Sequence, residues 1–528
     1  MRRFNPHFRS RSNHTDGVAI IASAASNVRW ILLSQSVKVL TQLIGVTVLA
    51  RLLPPRSYGV MALATIVTNL ALLFRDMGSS AAIIQAKVLT QTLNATVHWA
   101  NVALGLSIGV AVAISGPLMS AVFHEPALAK ILYLLAFVFP IGSFSIVHQA
   151  LLERESRFRL VVTAEIVAAL AGLIVAVLAA LLGAGVYSLV FQVFTSMLIS
   201  TIGIVLLSDF RPSWNWSRRD FNTIAAFGGN LSVFNFLAYL ARNTDSIVIG
   251  RVLGATALGI YSIAYRIMLL PVQNLTSVAT RALFPIMSRQ RDQLSEIASL
   301  YLKAVGLIAF LSAPMMAGLF ALRELFVDVV LGEKWHSAAA LLAWLAPVGV
   351  IQSLVSTTGS VSMARGRTDL LLRLGVLGSL LQISGFVIGS NWGVEGVAAG
   401  YLCASVLNAV PALHFTGRLI GVTVGMLVRR IAPAMTLAVV MAGLLSLGLR
   451  STAAYVIDKR VQLVLLTILG ATFYGATALW LIRAQVLSFR AFFKIPQFKR
   501  EAFDDSLGDS LGVRIALRET EEHRKARS

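Results

Sequence analysis

The chain contains fourteen apolar runs, each long enough to cross a lipid bilayer as one helix. A helix needs about 20 mostly apolar residues to span the hydrocarbon core. The predicted spans are residues 30–53, 58–83, 97–123, 128–151, 159–182, 186–207, 222–249, 257–280, 298–323, 337–361, 369–389, 394–416, 431–449 and 461–482. With 57% hydrophobic and 13% charged residues, the chain lacks the charges to coat soluble domains of this total length. The sequence therefore predicts an all-α, polytopic membrane protein with 14 transmembrane helices.

The basic residues orient these spans. With the N-terminus placed in the cytoplasm, cytoplasmic segments hold 31 of the 45 lysines and arginines, and the opposite segments hold 8. Lysine and arginine favour the cytoplasmic side of short loops. We therefore expect an even number of spans and two cytoplasmic termini. The net charge of +21 is spread over these loops and the two ends, so it does not predict a nucleic-acid partner.

The two halves of the chain resemble each other. Residues 48–59 (VLARLLPPRSYG) align without gaps on residues 248–259 (VIGRVLGATALG), at an offset of 200. Residues 134–142 match 341–349 at an offset of 207, and Gly185-Val186 matches Gly393-Val394 at 208. Each unit holds six helices, an even number, so both copies start from the same side of the membrane. We expect two parallel six-helix lobes around a central cavity, plus two C-terminal helices.

The predicted organisation follows from the spans and the repeat. Its parts are a basic cytoplasmic N-terminal tail (1–28), an N-lobe of helices 1–6 (29–207), a cytoplasmic linker (208–220), a C-lobe of helices 7–12 (221–417), helices 13 and 14 (418–483), and a basic cytoplasmic C-terminal tail (484–528).

Eight ionisable residues inside the predicted spans are candidates for facing a cavity. They are Lys38, Arg75, Asp76, Glu165, Arg242, Asp245, Arg266 and Lys303. An ionised group at mid-bilayer costs about 2.5–3.5 kcal/mol on insertion scales, so it is expected to face a cavity or a partner. Cations outnumber anions by five to three, which favours an anionic substrate such as a phosphate or pyrophosphate. Arginine suits this role because its planar guanidinium binds phosphate oxygens in pairs.

Local roles are the alternative for several of these residues. Arg75 and Asp76 can form an ion pair near a helix end, and Lys303 can reach the membrane surface. Arg242 and Asp245 lie three apart on one helix face and can neutralise each other. For Glu165, a hydrogen-bonded packing role is the alternative to proton transfer.

The sequence predicts neither an enzyme nor a metalloprotein. A single cysteine, Cys403, excludes an intrachain disulfide and a cysteine-based metal site. No nucleotide-binding loop, catalytic triad or metal-ligand spacing is found in the sequence, so we expect no catalytic residue, metal or cofactor. Gly396 and Gly400 form a small-xxx-small pair that predicts a close helix contact.

Five motifs of the chain look familiar. They are residues 48–59, 76–85 (DMGSSAAIIQ), 243–254 (NTDSIVIGRVLG), 258–265 (LGIYSIAY) and 283–289 (LFPIMSR). Together they resemble the Wzx-type polysaccharide flippases, in the colanic-acid-exporter-like branch of the multidrug/oligosaccharidyl-lipid/polysaccharide exporter superfamily. The resemblance covers roughly residues 28–420.

The resemblance implies a function as well as a fold. Proteins of this kind move undecaprenyl-pyrophosphate-linked oligosaccharide from the cytoplasmic to the periplasmic leaflet of the bacterial inner membrane, for lipopolysaccharide or exopolysaccharide biosynthesis. The implied mechanism is alternating access, and the implied partners are the lipid-linked oligosaccharide, the bilayer, a polysaccharide polymerase and other export components. By position, Lys38, Arg242 and Arg266 would hold the pyrophosphate, and Asp245 would lie near the sugar or act in gating.

Two other functions stay open at this point. A cation-coupled multidrug exporter of the same superfamily would favour an acidic cavity. A membrane glycan polymerase or ligase usually needs a long periplasmic loop, whereas all loops between the predicted spans are short.

Overall fold

The computed structural model describes residues 39–75, 89–218, 242–289, 293–452 and 458–481, together with residues 35, 37, 80, 83–84, 221 and 239. Within these parts the chain folds into helices and connecting turns, without a β-strand. Lys38 and Asp76 lie outside the described residues.

Seven helices are described in the first half of the chain. They are α1 (Val39–Leu52), α2 (Pro55–Leu72), α3 (Gln91–Phe123), α4 (Ala127–Ala136), α5 (Val138–Arg154), α6 (Phe158–Leu181) and α7 (Tyr187–Leu207).

The described second half follows a similar order. It contains α8 (Thr244–Val248), a π-helical turn (Ile249–Leu253), α9 (Gly254–Arg289), α10 (Leu294–Val330), α11 (Ala338–Val355), α12 (Thr358–Ala364), α13 (Thr368–Gly389), α14 (Gly393–Arg418), α15 (Val424–Thr452) and α16 (Lys459–Leu481).

Ten helical stretches of the described chain are long and apolar enough to cross a membrane, and α1 is a shorter apolar helix. Large apolar side chains on the outside of the bundle agree with a lipid-facing surface: Ile114 is 73% exposed and Leu182 is 87% exposed. The chain is therefore a multi-pass membrane protein, and the exact number of fourteen spans stays a prediction.

Helix contacts fall into two groups joined by one main crossing. In the first half, α3 packs on α4 and α5, and α5 and α6 pack on α7. In the second half, α11 packs on α9, α10 and α14, and α15 and α16 pack on α10. The crossing between the halves is made by α2 and α9. This arrangement leaves room for a cavity beside the crossing.

The backbone repeats at equivalent positions of the two halves. His124 and Gly332, separated by 208 residues, both have left-handed φ angles, of 53° and 96°, directly after α3 and close after α10. Ser156 and Gly366, separated by 210, also share this conformation, with φ of 58° and 67°. A left-handed residue is rare outside glycine, so two matched pairs support the internal duplication seen in the sequence.

The bias of lysine and arginine assigns alternate loops to opposite sides of the membrane, and loops assigned to the same side lie together at one end of the bundle. There Arg56 pairs with Glu125 at 2.9 Å, and Lys459 pairs with Asp328 at 3.0 Å. At the other end, Arg157 pairs with Asp209 at 2.7 Å. The assignment of these two ends to periplasm and cytoplasm stays a prediction.

The predicted close contact at Gly396 and Gly400 is confirmed. A Cβ on Gly400 would lie 2.2 Å from the carbonyl oxygen of Gly385, and a Cβ on Gly396 would lie 2.3 Å from that of Gly389. Backbone therefore meets backbone along the contact between α13 and α14, and larger residues at these positions would separate the helices.

Candidate functional site: three chambers that meet at Arg266

Three adjoining cavities share Arg266 as a lining residue. The polar chamber, of about 700 Å³, lies between α2 and α7 of the first half and α8 and α9 of the second. The side chamber, of about 540 Å³, is lined by α1, α2, α6 and α7 together with Arg266. The apolar chamber, of about 680 Å³, lies between α1, α9, α10, α15 and α16. These volumes are in the range of small-molecule sites.

Arg266 has the position expected of a ligand-binding cation. It lies in α9, the helix that crosses between the halves, and its side chain is exposed to cavity space although the helix is central in the bundle. Among the described residues it forms no hydrogen bond or ion pair, and the nearby Tyr58 lines two of the same chambers. A guanidinium without a protein partner in such a place retains its donors for a bound anion.

The polar chamber carries amide and phenol groups along its wall. The amide side chains are Gln42, Asn69, Gln192, Asn243 and Gln273, and the tyrosines are Tyr58, Tyr239, Tyr261 and Tyr265. Amides donate and accept hydrogen bonds, and tyrosine adds an apolar face with a polar tip. Such a wall suits a ligand rich in hydroxyl groups.

Asp245 lies at the deep wall of the polar chamber. Its side chain is buried, and its Oδ2 accepts a hydrogen bond of 3.0 Å from the Tyr261 hydroxyl. Its Oδ1 accepts one of 2.6 Å from the backbone N–H of Ser246. Behind it, the Gln352 amide donates to the Tyr401 hydroxyl, and the ring of Tyr401 contacts Tyr265. The carboxylate is thus fixed in orientation by its neighbours.

The structure brings four of the eight predicted charges to the chambers. Arg242, Asp245 and Arg266 line the polar chamber. Glu165 lines the side chamber, which Arg266 also lines.

Two other predicted charges lie away from this site. Arg75 packs beside α5, where its Nη1 would lie 2.8 Å from a Cβ on Gly142. Lys303 is exposed on α10 and does not line any of the three chambers.

The described lining of the chambers is balanced in formal charge. It holds two arginines, Arg242 and Arg266, and two carboxyl groups, those of Glu165 and Asp245. The expected excess of positive charge therefore depends on Lys38, which is not among the described residues. Asp245 already accepts two hydrogen bonds, whereas Arg266 keeps its donors, so the chamber can still bind an anion at Arg266.

The apolar chamber was not foreseen from the sequence. Its wall is aliphatic and aromatic, with Leu270, Pro271, Phe310, Leu319, Met441 and Tyr474 among its residues. The two C-terminal helices, which lie outside the sequence repeat, supply one side of it. The same space touches Arg266, so a polar and an apolar compartment meet at one cation.

Uncharged polar residues of the site were also missed. Gln42, Asn69 and Gln192 stand inside apolar runs, where an amide is costly without a partner. A search for amides as well as charges would have found them. Tyr58 is part of the motif at residues 48–59, but nothing in that motif indicates which way its hydroxyl points.

Solved structures with the same fold are transporters. The lipid II flippase MurJ in an inward closed conformation superposes with a TM-score of 0.68, at 13% identity, over 85% of this chain and 98% of that chain. An inward-facing multidrug resistance MATE family transporter of the MOP superfamily gives a TM-score of 0.58, at 17% identity, over 73% of this chain and 94% of that chain. At these identities the likeness establishes the fold.

Three proteins of polysaccharide biosynthesis are similar in sequence. The lipopolysaccharide biosynthesis protein WzxC of Escherichia coli K12 is 28% identical over 73% of this chain and 79% of its own length. The teichuronic acid biosynthesis protein TuaB of Bacillus subtilis 168 is 29% identical, over 74% and 81%. The succinoglycan biosynthesis transport protein ExoT of Rhizobium meliloti 1021 is 27% identical, over 74% and 78%.

The family profile agrees with the motif-based prediction. The profile of the polysaccharide biosynthesis protein family matches residues 48–340, more than half of the chain. This segment includes the site residues from Tyr58 to Arg266 as well as both copies of the first repeated motif. The resemblance drawn from the motifs is thereby confirmed, and the chain belongs to the polysaccharide biosynthesis protein family.

Proposed function

We propose that this protein is a flippase for lipid-linked oligosaccharides. It moves undecaprenyl-pyrophosphate-linked repeat units from the cytoplasmic to the periplasmic leaflet, for lipopolysaccharide or exopolysaccharide biosynthesis. The names of WzxC and ExoT, which refer to lipopolysaccharide biosynthesis and succinoglycan transport, support this class of substrate. A flippase needs no catalytic residue, because its substrate leaves chemically unchanged.

The observation that carries the proposal is the place of Arg266 between two unlike compartments. On one side lies the polar chamber with its amides and tyrosines, and on the other lies the apolar chamber. A lipid-linked oligosaccharide has the same order of parts: a hydroxyl-rich headgroup, an anionic phosphate link and a long hydrocarbon chain. Arg266 would bind the pyrophosphate through charge-assisted hydrogen bonds.

The remaining predicted residues take roles around this contact. Arg242 lines the polar chamber and would add a second cation for the pyrophosphate, and Lys38 is proposed for the same role from its sequence position. Asp245, held by Tyr261, would face the sugar or take part in gating. The apolar chamber would hold the first part of the lipid chain.

Transport by this site requires a rearrangement of the two halves. We propose fourteen spans, in two parallel six-helix lobes that rock about the crossing of α2 and α9, with two further C-terminal helices. Both termini would face the cytoplasm, and the bilayer would be the bacterial inner membrane. The repeated left-handed turns support the parallel duplication. A polysaccharide polymerase would receive the product at the periplasmic side.

Substitution of Arg266 tests the proposal. Arg266→Gln keeps hydrogen-bonding capacity but removes the charge, and hydrogen bonds to charged groups contribute about 1.5–3 kcal/mol, or on the order of tenfold to a hundredfold in affinity. The variant is expressed in a host strain from which the native gene for this protein has been deleted. Complete lipid-linked repeat units should then accumulate on the cytoplasmic leaflet. Leaflet-specific labelling followed by mass spectrometry of lipid extracts measures this accumulation.

The matched control is Arg323→Gln. Arg323 is also inside a helix, but its guanidinium donates to the Phe320 carbonyl at 2.8 Å and does not line the chambers. Wild-type export by Arg266→Gln would refute the phosphate role. Short, unpolymerised periplasmic chains in the deletion strain would favour a polymerase, and sensitivity to cationic drugs with normal polysaccharide would favour a multidrug exporter.

A further inference from the structure

The end of the bundle near residues 51 and 251 is held closed by contacts that repeat between the halves. Arg51 and Arg251 occupy the same position in the two copies of the first repeated motif. Both side chains are exposed, and both reach across to the opposite half of the chain. Equivalent residues thus make equivalent cross-contacts, as expected around a two-fold axis.

Each arginine binds the end of an equivalent helix. The Arg51 guanidinium donates to the carbonyl oxygens of Val329 and Val330, the latter at 3.3 Å, in the last turn of α10. The Arg251 Nη1 lies 3.0 Å from Nδ1 of His124, the residue that caps the C-terminus of α3. A cation is favoured at a helix C-terminus, where carbonyl groups lack partners.

Between the two arginines the backbones of α2 and α9 touch. A Cβ on Gly59 would lie 1.6 Å from the carbonyl oxygen of Ala255, and a Cβ on Gly259 would lie 2.0 Å from that of Pro55. These four residues are two equivalent pairs of the repeat, at the offset of 200. The helices therefore cross at the pseudo-two-fold axis itself, at a point where only glycine fits.

Trp335 adds a contact that is not repeated among the described residues of the other half. Its side chain is fully buried, its indole N–H donates to the carbonyl oxygen of Ala50 at 2.8 Å, and its ring meets Tyr58 edge-on at 5.3 Å between centroids. Tyr58 also lines the polar chamber. The closed end is thus in direct contact with the site.

We propose that Arg51 and Arg251 are a pair of pseudo-symmetric latches that hold this end of the chamber closed, and that Gly59 and Gly259 are the pivot about which the halves separate. The opposite-facing state requires both latches to release while the glycine crossing stays in place. This inference rests on the proposed function only in assuming that the closed end opens during a transport cycle.

Distances between the halves test the latches without substrate. In purified full-length protein in lipid nanodiscs, Cys403 is replaced by serine, and spin labels are attached at Lys130→Cys and Ser337→Cys, both exposed positions in different halves. Double electron–electron resonance spectroscopy then gives the distribution of distances between the two spin labels. Arg51→Ala and Arg251→Ala should each raise the ratio of the longer-distance to the shorter-distance population about fivefold. The double variant should raise this ratio by more than either single variant.

The control is Arg460→Ala. Arg460 is an exposed cation beside the same end, lining the surface cavity around Asp328, and takes no part in either latch. It should leave the distances unchanged. An unaltered distance distribution in the double variant, with the protein monodisperse and correctly inserted, would overturn the proposal.

Separate outcomes distinguish this inference from the proposed function. If the longer distance appears in the latch variants but the wild-type protein moves no lipid-linked oligosaccharide, the latches stand and the proposed substrate is wrong. Arg51→Lys provides a second check, because it keeps the charge but loses the two-donor geometry. It should give a population between those of wild type and Arg51→Ala, whereas a value equal to or beyond that of Arg51→Ala would contradict the capping role.

Discussion

Tyr58 carries a buried hydroxyl group beside the chamber, and no described residue forms a hydrogen bond with it. Among the described residues, its Oη forms no hydrogen bond, and its ring is held by Trp335. A buried hydroxyl left unsatisfied costs free energy, on the order of 1–3 kcal/mol. The residue lines both the polar and the side chamber beside Arg266, so a ligand oxygen bound there would supply the missing partner.

This position predicts opposite effects on stability and on binding. Tyr58→Phe keeps the ring contact and removes the unsatisfied hydroxyl, so the thermal stability of the substrate-free protein should be unchanged or higher. Loss of one hydrogen bond to substrate, about 1 kcal/mol, should weaken binding of lipid-linked oligosaccharide about fivefold, measured by thermophoresis or tryptophan fluorescence. Tyr133→Phe, on the exposed surface of α4, is the control. Unchanged affinity in Tyr58→Phe would remove this residue from the site.

Arg266 shows which part of the site the sequence could predict. A cation in the middle of an apolar run is costly enough to demand a cavity or a partner, and the cavity is there. Gln42 and Gln192 carry a smaller penalty, and Tyr58 carries almost none as a membrane residue, so their hydropathy gives little signal. Which residues meet across the chamber depends on helix packing, which no local pattern encodes.

Helix ends differ from the predicted spans for identifiable reasons. The third predicted span begins at residue 97, whereas α3 begins at Gln91, because Thr90 caps it by accepting a hydrogen bond of 3.1 Å from the N–H of Leu93. The polar first turn has low hydropathy but good capping chemistry. The fourth span is divided at Phe137 into α4 and α5, just before Pro140, whose missing N–H weakens a continuous helix there.

At the contact of α13 and α14, the close packing of glycines predicts a large effect from a small change. Gly400→Ala places a methyl group 2.2 Å from the Gly385 carbonyl oxygen, so the helices must move apart. Forced overpacking costs about 1–3 kcal/mol. We expect a lower melting temperature in detergent, measured by differential scanning fluorimetry.

Gly443→Ala is the matched control for this substitution. Gly443 is also helical, in α15, but no atom lies within 4 Å of the position of its Cβ. Alanine should be neutral or stabilising there, by up to about 1 kcal/mol from helix propensity. Equal melting temperatures for the two variants would show that the α13–α14 contact does not limit stability.

Across the whole molecule, the duplication explains why one chain can hold two unlike compartments. The repeated halves build the polar chamber between them, while α15 and α16, outside the repeat, wall the apolar chamber. The two compartments share Arg266, and Tyr58 connects the polar chamber to the closed end through Trp335. Binding at the cation is thus physically linked to the contacts that must break for the halves to move.

The orientation of this arrangement in the bilayer is testable with fusions. Charge bias places residue 218 in the cytoplasm and residue 334 in the periplasm. The structure sets the two apart: Ser217 donates its N–H to Thr96 at one end of the bundle, while Lys334 lies beside Arg51 at the other. Alkaline phosphatase fused after Arg218 should be inactive, and the same enzyme fused after Lys334 should be active. Green fluorescent protein fusions should show the reverse. The opposite pattern would invert the protein in the membrane, so that the latched end would face the cytoplasm.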